Sequence, residues 1–143
     1  METAARYFEL VQSKLQEVLD RELPNIHKAA ALVTESCKQG GKFYVFGSGH
    51  SHMITEEIYL RAGGLALVHG ILPPELMIHQ QPITKGTYLE RVEGYAPALI
   101  DLYRVTEKDT LMVVSNSGRN AIPVEMCLAA KEKGAKVIAM TSM

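Results

Sequence analysis

Apolar residues recur every three or four positions near the start of the chain, placing Phe8, Val11, Leu15, Val18 and Leu19 on one helical face. That spacing predicts a helix over residues 3–39. Pro24 lacks a backbone donor and crowds the preceding turn, so a kink or a junction of two helices is expected near residues 22–25. The second piece aligns Ile26, Ala29, Ala30, Val33 and Cys37 and stops at Gly40 and Gly41. The period then changes. Residues 42–46 (KFYVF) carry no polar alternation after Lys42, as in a strand buried on both faces. A glycine- and serine-rich turn follows, then a helix to about residue 62, then a strand over residues 65–68 (LALV).

Residues 71–87 hold three prolines and a glycine and read as a long loop. A helix is expected over residues 87–103, with Gly94 and Pro97 as its weak points. Residues 110–114 (TLMVV) form another buried strand and lead into Ser115-Asn116-Ser117-Gly118-Arg119-Asn120. Asn120 suits an N-cap for a helix over residues 121–133. Gly134 ends that helix, and residues 136–140 (KVIAM) make a last strand. A leading helix followed by alternating strands and helices predicts a doubly wound parallel sheet, a three-layer α/β/α fold with right-handed crossovers. The sheet is expected to be incomplete after its third or fourth strand, because the chain stops as the last strand finishes. One domain is expected over residues 1–143, with a helical segment at 1–40 and an α/β core at 41–143.

Composition narrows the function. The 143 residues carry a formal charge of −1, with 47% hydrophobic and 22% charged positions. No basic excess favours nucleic acid or an anionic membrane surface. No apolar run approaches the roughly 18 residues a membrane helix needs. The N-terminus lacks the apolar centre of a signal peptide. A cytoplasmic protein is expected, with Cys37 and Cys127 as free thiols rather than a disulfide.

Ligands of open parallel sheets bind beyond the carboxyl ends of the strands. Two loops here have that position. Each is rich in glycine, which lets the backbone approach an anion, and in serine, whose hydroxyl donates to phosphate oxygens. Each opens a helix, where N–H groups and the dipole favour negative charge. A dinucleotide fingerprint fails because His52 stands at the third glycine position and residues 65–71 hold no carboxylate. A phosphate-binding lysine loop fails because no G-K-[ST] tripeptide is present.

The runs VFGSGHSH, VVSNSGRN and KEKGAKVIAMTS resemble the SIS (sugar isomerase) domain family, and the whole chain is similar to its N-terminal two-thirds. It is most similar to a bacterial branch grouped with phosphosugar and phosphoheptose isomerases. The resemblance implies a phosphorylated sugar as partner, a homodimer or homotetramer, and no cofactor. It places Gly47, Gly49 and Ser51 in the first phosphate loop, with Ser48 between them. Ser115, Asn116, Ser117, Gly118 and Asn120 fall in the second. Asn120 stands where the family carries a hydroxyl residue. The implied activity is aldose–ketose isomerisation of a sugar phosphate; a module that senses the ligand, or a phosphosugar lyase or etherase, uses the same anion site.

Isomerisation moves a proton between C1 and C2 through an enediol and needs an acid to open the ring. Glu56 and Glu57, on the helix after the first loop, are candidates for the base. The family's catalytic glutamate lies about one helical turn further on, so neither aligns with it. His50 and His52 flank Ser51 and are candidates for contacting the sugar or shuttling a proton. With His69 or His79 they offer an alternative as metal ligands, but no supporting carboxylate motif is evident and no metal is assigned. Lys85 and Thr87 can reach the ligand from the long loop. Arg119, a cation at a helix start, suits either a phosphate or plain solvent. The N-terminal helix suits packing or dimerisation.

Overall fold

The computed structural model describes residues 2–142. The residues fall into two compact units, Met1–Leu32 and Val33–Met143. The first unit is helical and belongs to α1 (Glu2–Lys38), which runs uninterrupted through Pro24. The expected junction is thus absent: an interior proline removes one backbone hydrogen bond, and the turns on either side keep theirs. Phe8, Leu15, Val18 and Leu19 of this unit stay exposed. Glu17 is held below the usual carboxylate range by its hydrogen bond to Lys14, then by the charges of Lys14 and Arg21.

The second unit carries four parallel strands in the order β2-β1-β3-β4: β1 (Phe43–Gly47), β2 (Val68–Ile71), β3 (Thr110–Val114) and β4 (Lys136–Met140). Alternate residues face opposite sides. Tyr44, Phe46, Ile71, Leu111 and Val113 pack on one face with residues of α4 (Tyr95–Leu102) and α5 (Ala121–Glu132). Val45, Val68 and Val114 pack on the other with Ile54 and Ile58 of α2 (His52–Ile58). Full burial of each large side chain contributes about 1.5–3 kcal/mol. The chain is therefore α/β with helices on both faces, as expected.

Several boundaries move. α2 stops at Ile58 rather than near residue 62: Tyr59 turns extended, Leu60 takes a left-handed conformation, and Arg61 and Ala62 stay exposed. The second strand is Val68–Ile71, not residues 65–68, and Leu65 and Leu67 are exposed. The helix expected over residues 87–103 is two, α3 (Lys85–Leu89) and α4, separated at Gly94. Pro97 falls in the first turn of α4, where a missing N–H costs little.

The sheet is pinned at the strand entrances. The Asp109 carboxylate accepts from the backbone N–H of Lys42 (2.7 Å) and of Thr106 (2.7 Å). Its carbonyl accepts from Lys136 N–H (3.0 Å). Burial, and secondarily the Asp109 charge, raises the Tyr44 hydroxyl above its ordinary pKa. Ser36 and Thr110 share a buried hydroxyl contact of 2.7 Å. With β1 and β3 locked in register, Gly47 lies beside Val114. Their following loops leave the same edge, at the point where the strand order reverses.

Candidate functional site

Gly47 ends β1. A Cβ there would lie 2.5 Å from the Ser51 carbonyl carbon and oxygen and 2.9 Å from His52 N. Only glycine lets the following turn, Gly49–Ser51, fold back so closely, closed by Ser51 N–H on Ser48 O (3.0 Å). The fold-back aims the side chains in different directions. Ser48 is buried and its hydroxyl donates to Glu90 Oε1. His50 and Ser51 line an open cleft of about 400 Å³. His52 is buried and bonds through Nδ1 to the Gly49 carbonyl.

A carbonyl can only accept, so His52 Nδ1 carries the proton of this bond. Nε2 lies 3.4 Å from Glu56 Oε1, and the His79 ring is 5.4 Å from the His52 ring, centre to centre. One ligand atom from each of His52, Glu56 and His79 falls within 4.8 Å of the others. Two imidazoles and a carboxylate form a donor set able to share a proton or hold a divalent cation. The H-x-H spacing does not deliver this: His50 faces the cleft while His52 turns inward. Glu57 instead pairs with Arg61 on the exposed side of α2.

The second loop is built differently. Ser115 N–H donates to Met140 O (3.0 Å), joining the loop to β4. The Ser115 hydroxyl accepts from Gly118 N–H (3.2 Å), and Gly118 takes φ +62°, a conformation that favours glycine. Asn116 lines the cleft, and its carbonyl accepts from Ser142 N–H (3.3 Å). Ser117 is exposed. Asn120 occupies the N-cap position of α5 with extended dihedrals, but its side chain makes no cap bond; its amide donates to Glu90 Oε2 (2.7 Å). Ile122 N–H donates to Glu90 O (3.1 Å), and Pro123 has no N–H. The first turn of α5 therefore has its donors largely engaged inside the protein, against the expectation that this helix start serves the anion directly.

The cleft is completed by Ile54, Val114, Met140, Thr141 and Ser142. Thr141 and Ser142 follow β4 as Ser48 and Ser115 follow β1 and β3, a hydroxyl-after-strand signal that the sequence reading passed over. Glu90 and its contacts carried no local signal. Lys85 and Thr87 lie on α3 and line neither this cleft nor a second cavity of about 210 Å³ behind the second loop, which holds Ser115, Gly118 and Cys127. Arg119 is exposed. His69 lies on β2 beside Tyr44, its pKa lowered first by burial and then by Lys42.

A family model for the SIS domain matches residues 6–142. The chain belongs to the SIS domain family. A UPF0309 protein of Halalkalibacterium halodurans is 57% identical over 138 residues, covering 96% of this chain and 55% of that protein. One from Geobacillus thermodenitrificans is 41% identical over 138 residues, with the same coverage. The SIS chain thus spans about half the length of the curated relatives it matches. A solved phosphoheptose isomerase from Neisseria gonorrhoeae superposes with a TM-score of 0.72 at 22% identity, covering 98% of this chain and 74% of its own. One from Francisella tularensis gives the same TM-score and identity, covering 98% and 73%. At that identity the likeness is one of fold. Among the described residues no helix of this SIS domain is long and apolar enough to cross a membrane.

Proposed function

We propose that this SIS domain holds the phosphate of a sugar phosphate for aldose–ketose isomerisation. The observation that carries the reading is the pairing of Gly47 with Val114, from which two serine–glycine loops open side by side onto one cleft. Ser51, Ser117 and backbone N–H groups of both loops are the phosphate donors. Phosphate accepts such hydrogen bonds strongly because it is charged. The sugar lies along the cleft past His50 and Asn116 toward Thr141 and Ser142.

Proton transfer between C1 and C2 falls to His52 and Glu56. The Gly49 carbonyl orients the imidazole through Nδ1, and Nε2 together with Glu56 takes the proton from one carbon and returns it to the other. Glu57, turned toward Arg61, has no part. Glu56→Gln is expected to lower turnover by about 10²-fold or more, and Glu57→Gln to leave it unchanged. The structural relatives named as phosphoheptose isomerases support a sugar of that class. The exposed apolar face of Phe8, Leu15, Val18 and Leu19 supports a homo-oligomer, and the two free thiols support the cytoplasm.

A thermal-shift series tests the reading. Sugar phosphates should raise the melting temperature, by linkage worth about 2.7 kcal/mol at a hundredfold excess over Kd, and the same sugars without phosphate should not. Equal shifts with both series would sink it. A second reading is favoured by one observation: neither His52 nor Glu56 lines the cleft. A module that senses sugar phosphate would bind equally well and show no loss on Glu56→Gln.

A further inference from the structure

One carboxylate joins the two loops. Glu90 follows α3, 42 residues from Ser48 and 30 from Asn120 in sequence. Its Oε1 accepts from the Ser48 hydroxyl of the first loop, and its Oε2 from the Asn120 amide at the end of the second. Its carbonyl accepts from Ile122 N–H in the first turn of α5. Four residues on, Gly94 N–H is held by both oxygens of Glu125 on α5 (3.0 and 2.9 Å). The segment 90–94 is thus fastened to α5 at two points, and from the first of them a carboxylate reaches across to the β1 loop.

We propose that Glu90 is a positioning residue that fixes the spacing between the two phosphate-gripping loops. Its functional readout rests on the phosphosugar reading; the clamp itself is read without ligand. The chemistry suits a fixed spacer. A carboxylate is planar, its two oxygens point apart, and each accepts from one loop alone. Charge-assisted hydrogen bonds of this kind are about twice as strong as neutral ones. Ser48 is buried, so its hydroxyl has no water to replace the lost partner. The clamp also sorts the loop side chains: Ser48 and Asn120 hold the frame, and Ser51, Ser117 and the loop backbone are left to meet the phosphate.

Amide hydrogen exchange on the ligand-free chain is the primary test. Glu90→Ala should raise exchange about tenfold or more at residues 48–51 and 118–122 together, while Val45 and Val113 in the sheet stay protected. Glu90→Gln should restore both loops, because its oxygen can accept from Asn120 while its amide donates to the Ser48 oxygen. Two further variants hold the test should Glu90→Ala fail to fold. Ser48→Ala should loosen residues 48–51, and Asn120→Ala should loosen 118–122. No change in the variant's own loop, or equal loss of protection in the sheet, overturns the clamp. Inorganic phosphate, titrated into the same proteins, supplies the second readout. Its affinity should fall about tenfold in Glu90→Ala and hold in Glu90→Gln. Undiminished affinity despite loosened loops overturns the positioning role. Loosened loops with no phosphate affinity even in the unaltered chain leave the clamp standing and remove the phosphosugar reading instead.

Discussion

The two loops leave the same rung of the β1–β3 ladder, yet they are held in shape by different means. The loop after β1 is confined by sterics: Gly47 lies against Ser51 and His52 backbone atoms with no room for a methyl group. The loop after β3 is confined by torsion and hydrogen bonds: Gly118 takes a left-handed conformation, and the Ser115 hydroxyl closes the turn. The first leads into a seven-residue helix, the second into one of twelve. One fold thus sets two serine–glycine loops side by side, one shaped by sterics and the other by torsion and hydrogen bonding.

The largest effect should come from testing the loop shaped by sterics. Gly47→Ala is expected to cost about 3 kcal/mol in urea unfolding, because the contacted atoms are backbone and cannot yield. Gly118→Ala should cost less, about 1–2 kcal/mol, since its Cβ would meet mainly the rotatable Thr141 hydroxyl at 2.8 Å. Equal losses would erase the distinction between the loops. Next come the donors. Ser51→Ala and Ser117→Ala should each weaken phosphate binding about tenfold, the usual effect of losing one hydrogen bond to a charged group, and calorimetry would measure both. A weakening confined to one of them would assign the grip to a single loop.

Asn120→Asp is expected to be smaller and to depend on pH. It sets a second carboxylate 2.7 Å from the Glu90 oxygen that now accepts the Asn120 amide hydrogen bond. Two facing carboxylates resist shared negative charge, so folding raises the pKa of the pair. Stability is then intact below the ordinary carboxylate range and falls as pH rises through the elevated value. The site is partly exposed, so about 1 kcal/mol is expected at pH 8. Melts at pH 4 and pH 8 measure it. The smallest effect concerns Cys127, in the cavity behind the second loop. Burial raises its thiol pKa, and Lys131 offsets this only in part. Its stabilising contribution is present below the unfolded-state pKa and is lost as pH rises beyond it. Alkylation of Cys127 in the folded chain should therefore begin at higher pH than in urea, as mass spectrometry would show.

Much of this frame was legible in the residues. β3 and β4 fall on the runs TLMVV and KVIAM because each is apolar, β-rich and bounded by turn residues. Both serine–glycine loops were readable as the turn residues that follow such runs. β2 was misplaced because LALV is the more apolar run, whereas pairing with β1 selects VHGI; register overrides local composition. The long helix stayed whole through Pro24, where a local rule predicts a break. His50 and His52 looked equivalent on paper and part company once the turn folds back. Glu90 was out of reach, since its role exists only through partners 42 and 30 residues away.

The strand order 2-1-3-4 has a practical consequence. The crossover residues 60–66, around the Gly63–Gly64 turn, are exposed and line neither cavity. A fluorophore or short peptide grafted there would ride on the outer connection and leave the cleft mouth untouched.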